Sequence, residues 1–580
     1  MSWSDESRSS RRSILLGTLL GGLTPALMRP AGSGAQGGAG TSTGPAAAKL
    51  QGAPDVVIAF TEKDRVVLTQ QGDVWASGGI SVRFVTNHAK AGAETVVVVH
   101  APKAALTRVH LRWQLVLKPG LRYMGDHWER SYGDLAWRGL EPDRALPWYF
   151  LASDGQRTLA AGVKTNPAAL CFWQIDGSGV NLWLDLRNGG SGVMLGDREL
   201  TAATLIADQY DGISAYAAEH RLCRRMCESP RLPKEPVYGG NDWYYAYGHN
   251  SAEGILRDSA LIASLAGDQT NRPWMVVDDG WQPNPTGGPW REGNSRFPDM
   301  AVLSAKMRSA GVKPGIWTRP LFTLENVPKS CRLDTPTIRK DEGRRGGATL
   351  DPTVPEVAAA IVADIQRMKS WGFELIKHDF STFDLLGRWG FAMGPQVTDD
   401  GWSFADRSKT TAEIIRAFYE VLRKAAADTL LLGCNTVGHF GAGLFELQRI
   451  GDDTSGRDWN RTRKMGVNTL AFRAAQHDAF FAVDADCVGL THEVPWALNR
   501  QWLDLVARSG TPLFVSGAPD AVGPEQRSAL KAAFTEAAQG GSTAEPLDWM
   551  DNNQPQRWLL HAKTTKYNWA GEDGASPFAT

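Results

Sequence analysis

The sequence predicts an α/β protein: a parallel (β/α)8 TIM barrel preceded by a β-sandwich and followed by a short C-terminal β extension. Three observations carry this. Residues 55–230 hold short runs in which β-branched or aromatic residues alternate with polar ones, among them DVVIAF, ISVRFV, ETVVVVH, TRVHLRWQLVL and NLWLDLR. Period-2 runs separated by Gly and Asp are the pattern of half-buried antiparallel strands. After the Pro-rich junction RLPKEPVYGG, about eight strand-like runs alternate with helical stretches, which is how a parallel barrel is written. Residues 541–580, left after the last barrel run, read as a short β extension.

Taken in order, the chain opens on Ser9-Ser10-Arg11-Arg12-Ser13-Ile14-Leu15-Leu16, paired arginines ahead of an apolar run that ends in small residues at Ser33-Gly34-Ala35. Residues 1–35 therefore read as a twin-arginine-type signal peptide, with a disordered basic tail as the alternative. The expected partner during export is the twin-arginine translocase, and the expected location is periplasmic or secreted. Residues 36–52, rich in Gly, Ala and Ser, read as a linker. The sandwich spans 53–230. Its long connection GDHWERSYGDLAWRGLEPDRALPWYF, with Trp128, Trp137 and Trp148, is expected to cover the barrel mouth, since a loop of that length is seldom idle.

The barrel occupies 235–540. Its strand runs are VYGGNDWYY, WMVVDDG, VKPGIW, ELIKHDF, TLLLGCN, LQRIGDD, FFAVDAD and PLFVSG, and most precede a helical stretch such as PEVAAAIVADIQRMKSWG. Between Asn435 and Glu446 there is hardly room for a full helix, so either the fifth crossover is abbreviated or the strand assigned there is misplaced. Residues 541–580 form the shortened extension. No later segment reaches the ~20 consecutive apolar residues of a membrane span, so the mature form is expected to need no membrane.

Composition narrows the functions. Across 580 residues the apolar fraction is 42%, the charged fraction 22% and the formal net charge −1, which argues against nucleic acid or an anionic membrane as a partner. Trp, at 22 residues against 11 Tyr, suits the apolar faces of sugars as well as a core. The six cysteines lack C-x-x-C pairs. Cys223 and Cys227, at i, i+4 on an expected helix, would make a strained bridge and read as free thiols.

Barrel chemistry sits at the carboxyl ends of the strands. Those ends carry Asp278, Asp279, Trp281, Trp317, Lys377, Asp379, Cys434, Arg449, Asp453 and Asp486. The set is rich in carboxylates and nearly free of His, which argues against a metal; neither a metal nor an organic cofactor is expected. Paired carboxylates are what glycosidic cleavage requires, one to attack or activate water and one to protonate the leaving oxygen.

In ELIKHDF, alternation puts Lys377 and Asp379 on one face, about 6 to 7 Å apart, and His378 on the other. The ammonium would favour an ionised Asp379, or the pair would be a salt bridge closing a strand end. His378 reads as a packing residue. Asp278 and Asp279 beside Trp281 suit sugar hydroxyls and ring stacking, or an Asx turn. Arg449 and Asp453, four positions apart, supply a cation and a candidate acid.

The motifs VVDDGWQ, GIW before Pro, IKHDF, RIGDDTS, VDADC and TPLFVSG occur in the order found in the melibiase group, the α-galactosidases of glycoside hydrolase families 27 and 36, and the leading sandwich resembles family 36. The resemblance covers roughly 235–550 and is most specific where K-x-D and R-x-x-x-D occur together. It implies an oligosaccharide or glycoside substrate and a retaining double displacement, with Asp379 as nucleophile and Asp453 as acid/base. It also implies Asp278 and Asp279 at the 4- and 6-hydroxyls of a galactose-like ring, Lys377 assisting, Arg449 near the 2-hydroxyl, and Trp243 and Trp317 against the ring. Asp452 is the rival acid. The acid's pKa is expected to be raised by ~2 units, on the order of 3 kcal/mol. Two departures stand out: Thr318-Arg319-Pro320 replaces an acidic residue before Pro, and the terminal domain is short. Related substrates remain open: α-N-acetylgalactosaminides, β-L-arabinopyranosides, α-glucosides or sugar acceptors. So does a binding protein without turnover.

Overall fold

The alternating runs of the first part form two antiparallel sheets. The computed structural model describes residues 44–89, 92–338, 346–541 and 544–570; the expected signal peptide lies outside them. One sheet runs in the order Arg65–Val67, Val56–Thr61, Ala105–Trp113, Gly179–Asp185, Leu170–Asp176, Leu146–Pro147, with Val193–Met194 also on Ala105–Trp113. The other has eight strands, from Thr69–Gln71 through Leu200–Asp211 to Arg122–Gly125. In ALTRVHLRW, Leu106, Val109, Leu111 and Trp113 are buried while Arg108, His110 and Arg112 are not, so alternation becomes a core face and an outer face. The expected linker is corrected in part. Pro45–Gln51 is a helix, because Pro at its start and an Ala-rich run favour one. Its Ala47 and Leu50 are buried, and the Gln51 carbonyl accepts from Thr95 Oγ1.

The second part closes into a parallel ring. Strands Tyr238–Asn241, Trp274–Val277, Lys313–Thr318, Leu375–His378, Leu430–Gly433 and Leu447–Arg449 pair in sequence order. The eighth, Leu513–Gly517, returns to pair with the first. The seventh is split. Ala482–Asp484 pairs with the sixth and Val488–Leu490 with the eighth, and between them Asp486 takes a left-handed backbone, φ 73°. Inward positions, including Trp274, Val276, Leu375, Leu432, Leu447 and Phe514, form a core of their own inside the ring. Outward ones such as Ile376 join the larger core beneath the helices. The fifth crossover is the four-residue helix Gly438–Gly441.

The extension is a three-stranded sheet, Glu545–Pro546, Arg557–Leu560 and Lys563–Lys566. Its Trp558 and Trp569 are buried, and the Trp569 carbonyl accepts from Trp459 Nε1 (3.0 Å) and Arg463 Nη1 (3.1 Å) of the sixth crossover. The six cysteines are free thiols. Among the described residues no helix is long and apolar enough to cross a membrane.

Candidate active site

Asp379 stands one residue past the fourth strand, where the wall gives way to the mouth. Its Oδ2 accepts from Trp317 Nε1 (3.2 Å), and its Oδ1 from the main-chain N–H of Phe380 (2.7 Å) and of Asn435 (3.0 Å). Phe380 adopts φ 61°, a left-handed conformation that a bulky residue rarely takes. That turn directs the Phe380 N–H back onto the carboxylate. The Phe380 ring lies 4.4 Å from the Arg319 guanidinium, which is buried in a bidentate pair with Asp384.

The expected partnership of Lys377 with Asp379 is corrected. Lys377 Nζ pairs with Asp278 Oδ2 at 2.6 Å, across the ring. Burial works against the ammonium, yet Asp278 holds it well above the ordinary lysine value. Asp278 Oδ2 also accepts from Asn241 Nδ2 (2.6 Å), and its Oδ1 from the N–H of Asp279 (2.8 Å). Behind it lies Asp242, which the sequence did not single out; it accepts the Asp278 N–H (2.8 Å) and Asn250 Nδ2 (2.7 Å). Burial, with Asp278 adding its charge, pushes Asp242 up to about 7. Asp279 accepts from Gln282 Nε2 and the Thr286 N–H through Oδ1. Burial, and the charges of Asp278 and Asp379, push it up to about 6.

Across the mouth, Arg449 bonds three carboxylates: Asp453 Oδ1 (3.2 Å), Asp484 Oδ2 (3.1 Å) and Asp486 Oδ1 (2.7 Å). Arg130, from the long sandwich connection, grips Asp452 Oδ1 at 2.9 Å and lies 3.9 Å from Asp453 Oδ1. Asp452 Oδ2 is taken by Arg461 (2.7 Å). Asp452 is thus held on both oxygens, with its side chain 17% exposed, whereas that of Asp453 is 38% exposed. The expected upward shift of the acid is overturned. Burial pushes Asp453 up, but Arg130, Arg449, Lys377 and Arg461 together hold it below the ordinary aspartate value. Of these cations, two come from outside the strand-end motifs, which is why spacing along the chain did not reveal the sign.

No family model matches the chain, and no curated protein does. Solved structures do. The α-galactosidase TtGalA of Thermus thermophilus, in complex with p-nitrophenyl α-D-galactopyranoside, superposes with a TM-score of 0.55 at 17% identity, over 83% of this chain and 99% of that one. A variant of the family 36 α-galactosidase AgaA of Geobacillus stearothermophilus, with 1-deoxygalactonojirimycin, gives 0.59 at 12% identity over 87% and 77%. The galactosidase domain of the α-galactosidase-sucrose kinase AgaSK gives 0.54 at 14% over 84% and 71%. The chain has the family 36 α-galactosidase fold.

On that α-galactosidase fold the remaining expected residues divide. Trp281 is fully buried, packed on Trp290 and Trp371, and donates its indole N–H to the Trp317 carbonyl at 2.9 Å; it offers no ring to a ligand. Trp317 is 2% exposed and meets the site through its N–H edge, which donates to Asp379. Trp243 is half-buried beside Tyr247, on the short helix Trp243–Ala246 that follows the first strand, since Asn241 Oδ1 caps its N–H and ends that strand. Cys434 is buried among Asp379, Arg449, Lys377 and Arg130, and burial pushes its thiol up. His378 points outward onto Tyr419 and Phe445, and burial holds it down to about 3, as a packing residue. In the sandwich connection Trp128, Trp137 and Trp148 are buried rather than spread over the mouth. The charged residues between them, Glu129 and Arg130, are the ones that reach Asn435, Asp452 and Asp453.

Proposed function

We propose that the protein is a retaining glycoside hydrolase of α-galactosidase type, with Asp379 as nucleophile and Asp453 as acid/base. One observation carries this: two carboxylates at the ends of the fourth and sixth strands meet opposite demands. Asp379 is held by three N–H donors, with its own-strand cation engaged elsewhere. Asp453 has its Oδ1 between two guanidiniums and its Oδ2 without a bonded partner among the described residues. The first arrangement orients an attacking oxygen; the second leaves an oxygen open toward a leaving group, and the cations around it confine the protonated form to lower pH. Asp278 and Asp279 stand beside Asp379 as acceptors for hydroxyls of the bound ring, with Lys377 fixing Asp278. TtGalA, which shares the fold, was solved with an aryl α-galactoside and with stachyose, and this supports an α-galactosidic substrate.

In the double displacement Asp379 attacks the anomeric carbon while Asp453 protonates the departing oxygen; Asp453, now ionised, then takes a proton from the water that releases the sugar. A panel of aryl glycosides tests the substrate, and the anomer first released, read by proton NMR, tests retention. Asp379→Asn should abolish turnover, and Asp453→Asn should spare activated aryl leaving groups while losing ~10²-fold or more on poor ones. Full activity in the first variant would sink the assignment. Export belongs to the same proposal. The paired Arg11-Arg12 before an apolar run supports it, and a reporter that matures only after twin-arginine transport, fused behind residues 1–35, tests it.

A further inference from the structure

The sandwich connection places Glu129 and Arg130 between the two candidate catalytic arms, and the contacts are built in. Ser131 and Gly451 form a parallel bridge: the Ser131 N–H donates to the Ile450 carbonyl (2.8 Å) and the Asp452 N–H to the Ser131 carbonyl (2.9 Å). A Cβ on Gly133, at φ 74°, would meet Lys464 at 2.5 Å, so the sandwich segment requires glycine to lie this close to the helix after the sixth strand, and a Cβ on Gly451 would meet the Met465 carbonyl of that helix at 2.2 Å. Glu129 is buried; one oxygen accepts from the Gly390 N–H (3.0 Å) and from Tyr132 Oη, the other from Asn435 Nδ2. Asn435 is the residue whose main-chain N–H holds Asp379. Arg130, its side chain 6% exposed, lies against the rings of Tyr132 and Trp389 and reaches Asp452 and Asp453.

We propose that Glu129 and Arg130 are positioning residues that brace the two arms from the sandwich, Glu129 steadying Asp379 through Asn435 and Arg130 turning Asp453 so that Oδ2 faces the leaving oxygen. This rests on the functional reading above and extends it to residues outside the barrel. Adjacent residues on one backbone fix a distance between two arms better than either arm's own strand can, because the strands carrying Asp379 and Asp453 are separated by the fifth. Around Asp453 the charged or titratable groups are Arg130 from the sandwich, Arg449 from the sixth strand, Arg461 from the following helix, Lys377 from the fourth strand, Asp486 from the seventh, Tyr244 and Tyr247 after the first, and Asp452 beside it. Removing Arg130 subtracts one of the four cations that oppose protonation there, whereas removing the Glu129 charge leaves all four.

The two variants should therefore fail differently in the full-length enzyme. Arg130→Gln should lose ~10²-fold in kcat/KM on methyl α-galactoside but less than ~5-fold on a 2,4-dinitrophenyl α-galactoside, the signature of an impaired acid. Its alkaline limb should move up by about one pH unit, because the acid form persists to higher pH. Glu129→Gln, which turns an amide toward Asn435, should lose ~10- to 100-fold on both substrates with an unmoved limb. Arg130→Lys keeps the charge but not the fork, so it should keep the limb and still favour the activated substrate; it carries the test if Arg130→Gln does not fold. Equal losses on both substrates in every variant with an unmoved limb, or no loss at all, would overturn the brace. Wild-type protein inert on the whole glycoside panel would instead overturn the functional reading, and the brace with it.

Discussion

At the scale of single residues, hydrogen-bond geometry yields separable expectations. Trp317 gives Asp379 one of its three N–H bonds. A hydrogen bond to a charged group is worth ~1.5–3 kcal/mol, so Trp317→Phe should lower kcat/KM by ~10- to 100-fold with little change in thermal stability, read by kinetics beside a melting curve. Asp279 tests pH linkage. Its folded pKa of about 6 lies above the ordinary value near 3.8, so the folded state keeps its proton longer than the unfolded one. Stability is then intact below the lower value and falls as pH rises toward the upper one. Asp279→Asn can keep the accepting Oδ1 while removing that titration. Relative to wild type it should melt alike at pH 4 and be more stable by ~1–3 kcal/mol at pH 8, while losing affinity for substrate. Equal differences at both pH values would contradict the linkage. Asp453, held low by its four cations, makes a third case: a general acid must be protonated, so kcat/KM should decline with rising pH on the acid side of neutrality.

At the scale of elements, the loop that carries Asp453, the proposed acid, depends on a residue with no side chain. With the Met465 carbonyl in the way of any Cβ, Gly451→Ala must displace the loop between the sixth strand and its helix. A melting loss of ~1–3 kcal/mol and a ~10²-fold drop in kcat/KM are expected, measured by calorimetry and steady-state kinetics. The same loop shows what could be read in advance. Alternation in ELIKHDF assigned the faces of Lys377 and His378, and the ends of the apolar runs marked the strand ends, because both depend on local geometry; the roles attached to K-x-D and R-x-x-x-D came from the family resemblance. What could not be read depends on distant chain. Lys377 pairs with Asp278, 99 positions away, and the cations on Asp452 and Asp453 include Arg130 from another sheet system. Nor does composition tell a mouth tryptophan from a core one. Trp281 follows two site carboxylates and still points into the wall, since its indole N–H finds the Trp317 carbonyl there.

At the scale of the whole molecule, sandwich, barrel and extension share buried contacts. Trp148 of the sandwich stacks on His439 of the fifth crossover, and Asn468 of the sixth bonds the carbonyls of Leu135 and Asn553. Calorimetry should therefore show one transition for the sandwich, barrel and extension, and Trp569→Ala, which empties a buried site worth ~3–5 kcal/mol, should lower that single transition instead of releasing the extension alone. The split seventh strand bears on how the ring meets its substrate. Between Ala482–Asp484 and Val488–Leu490 the backbone rungs on the two sides do not overlap, and the gap is spanned by Asp486, hooked from one side by Arg449 and from the other by the Tyr244 hydroxyl. Amide rungs fix the circumference of the hoop elsewhere along its wall; here a carboxylate buckle fixes it, made of the same arginine that touches Asp453. The girth of the mouth and the setting of Asp453 are thus fastened at one point, the Arg449 guanidinium.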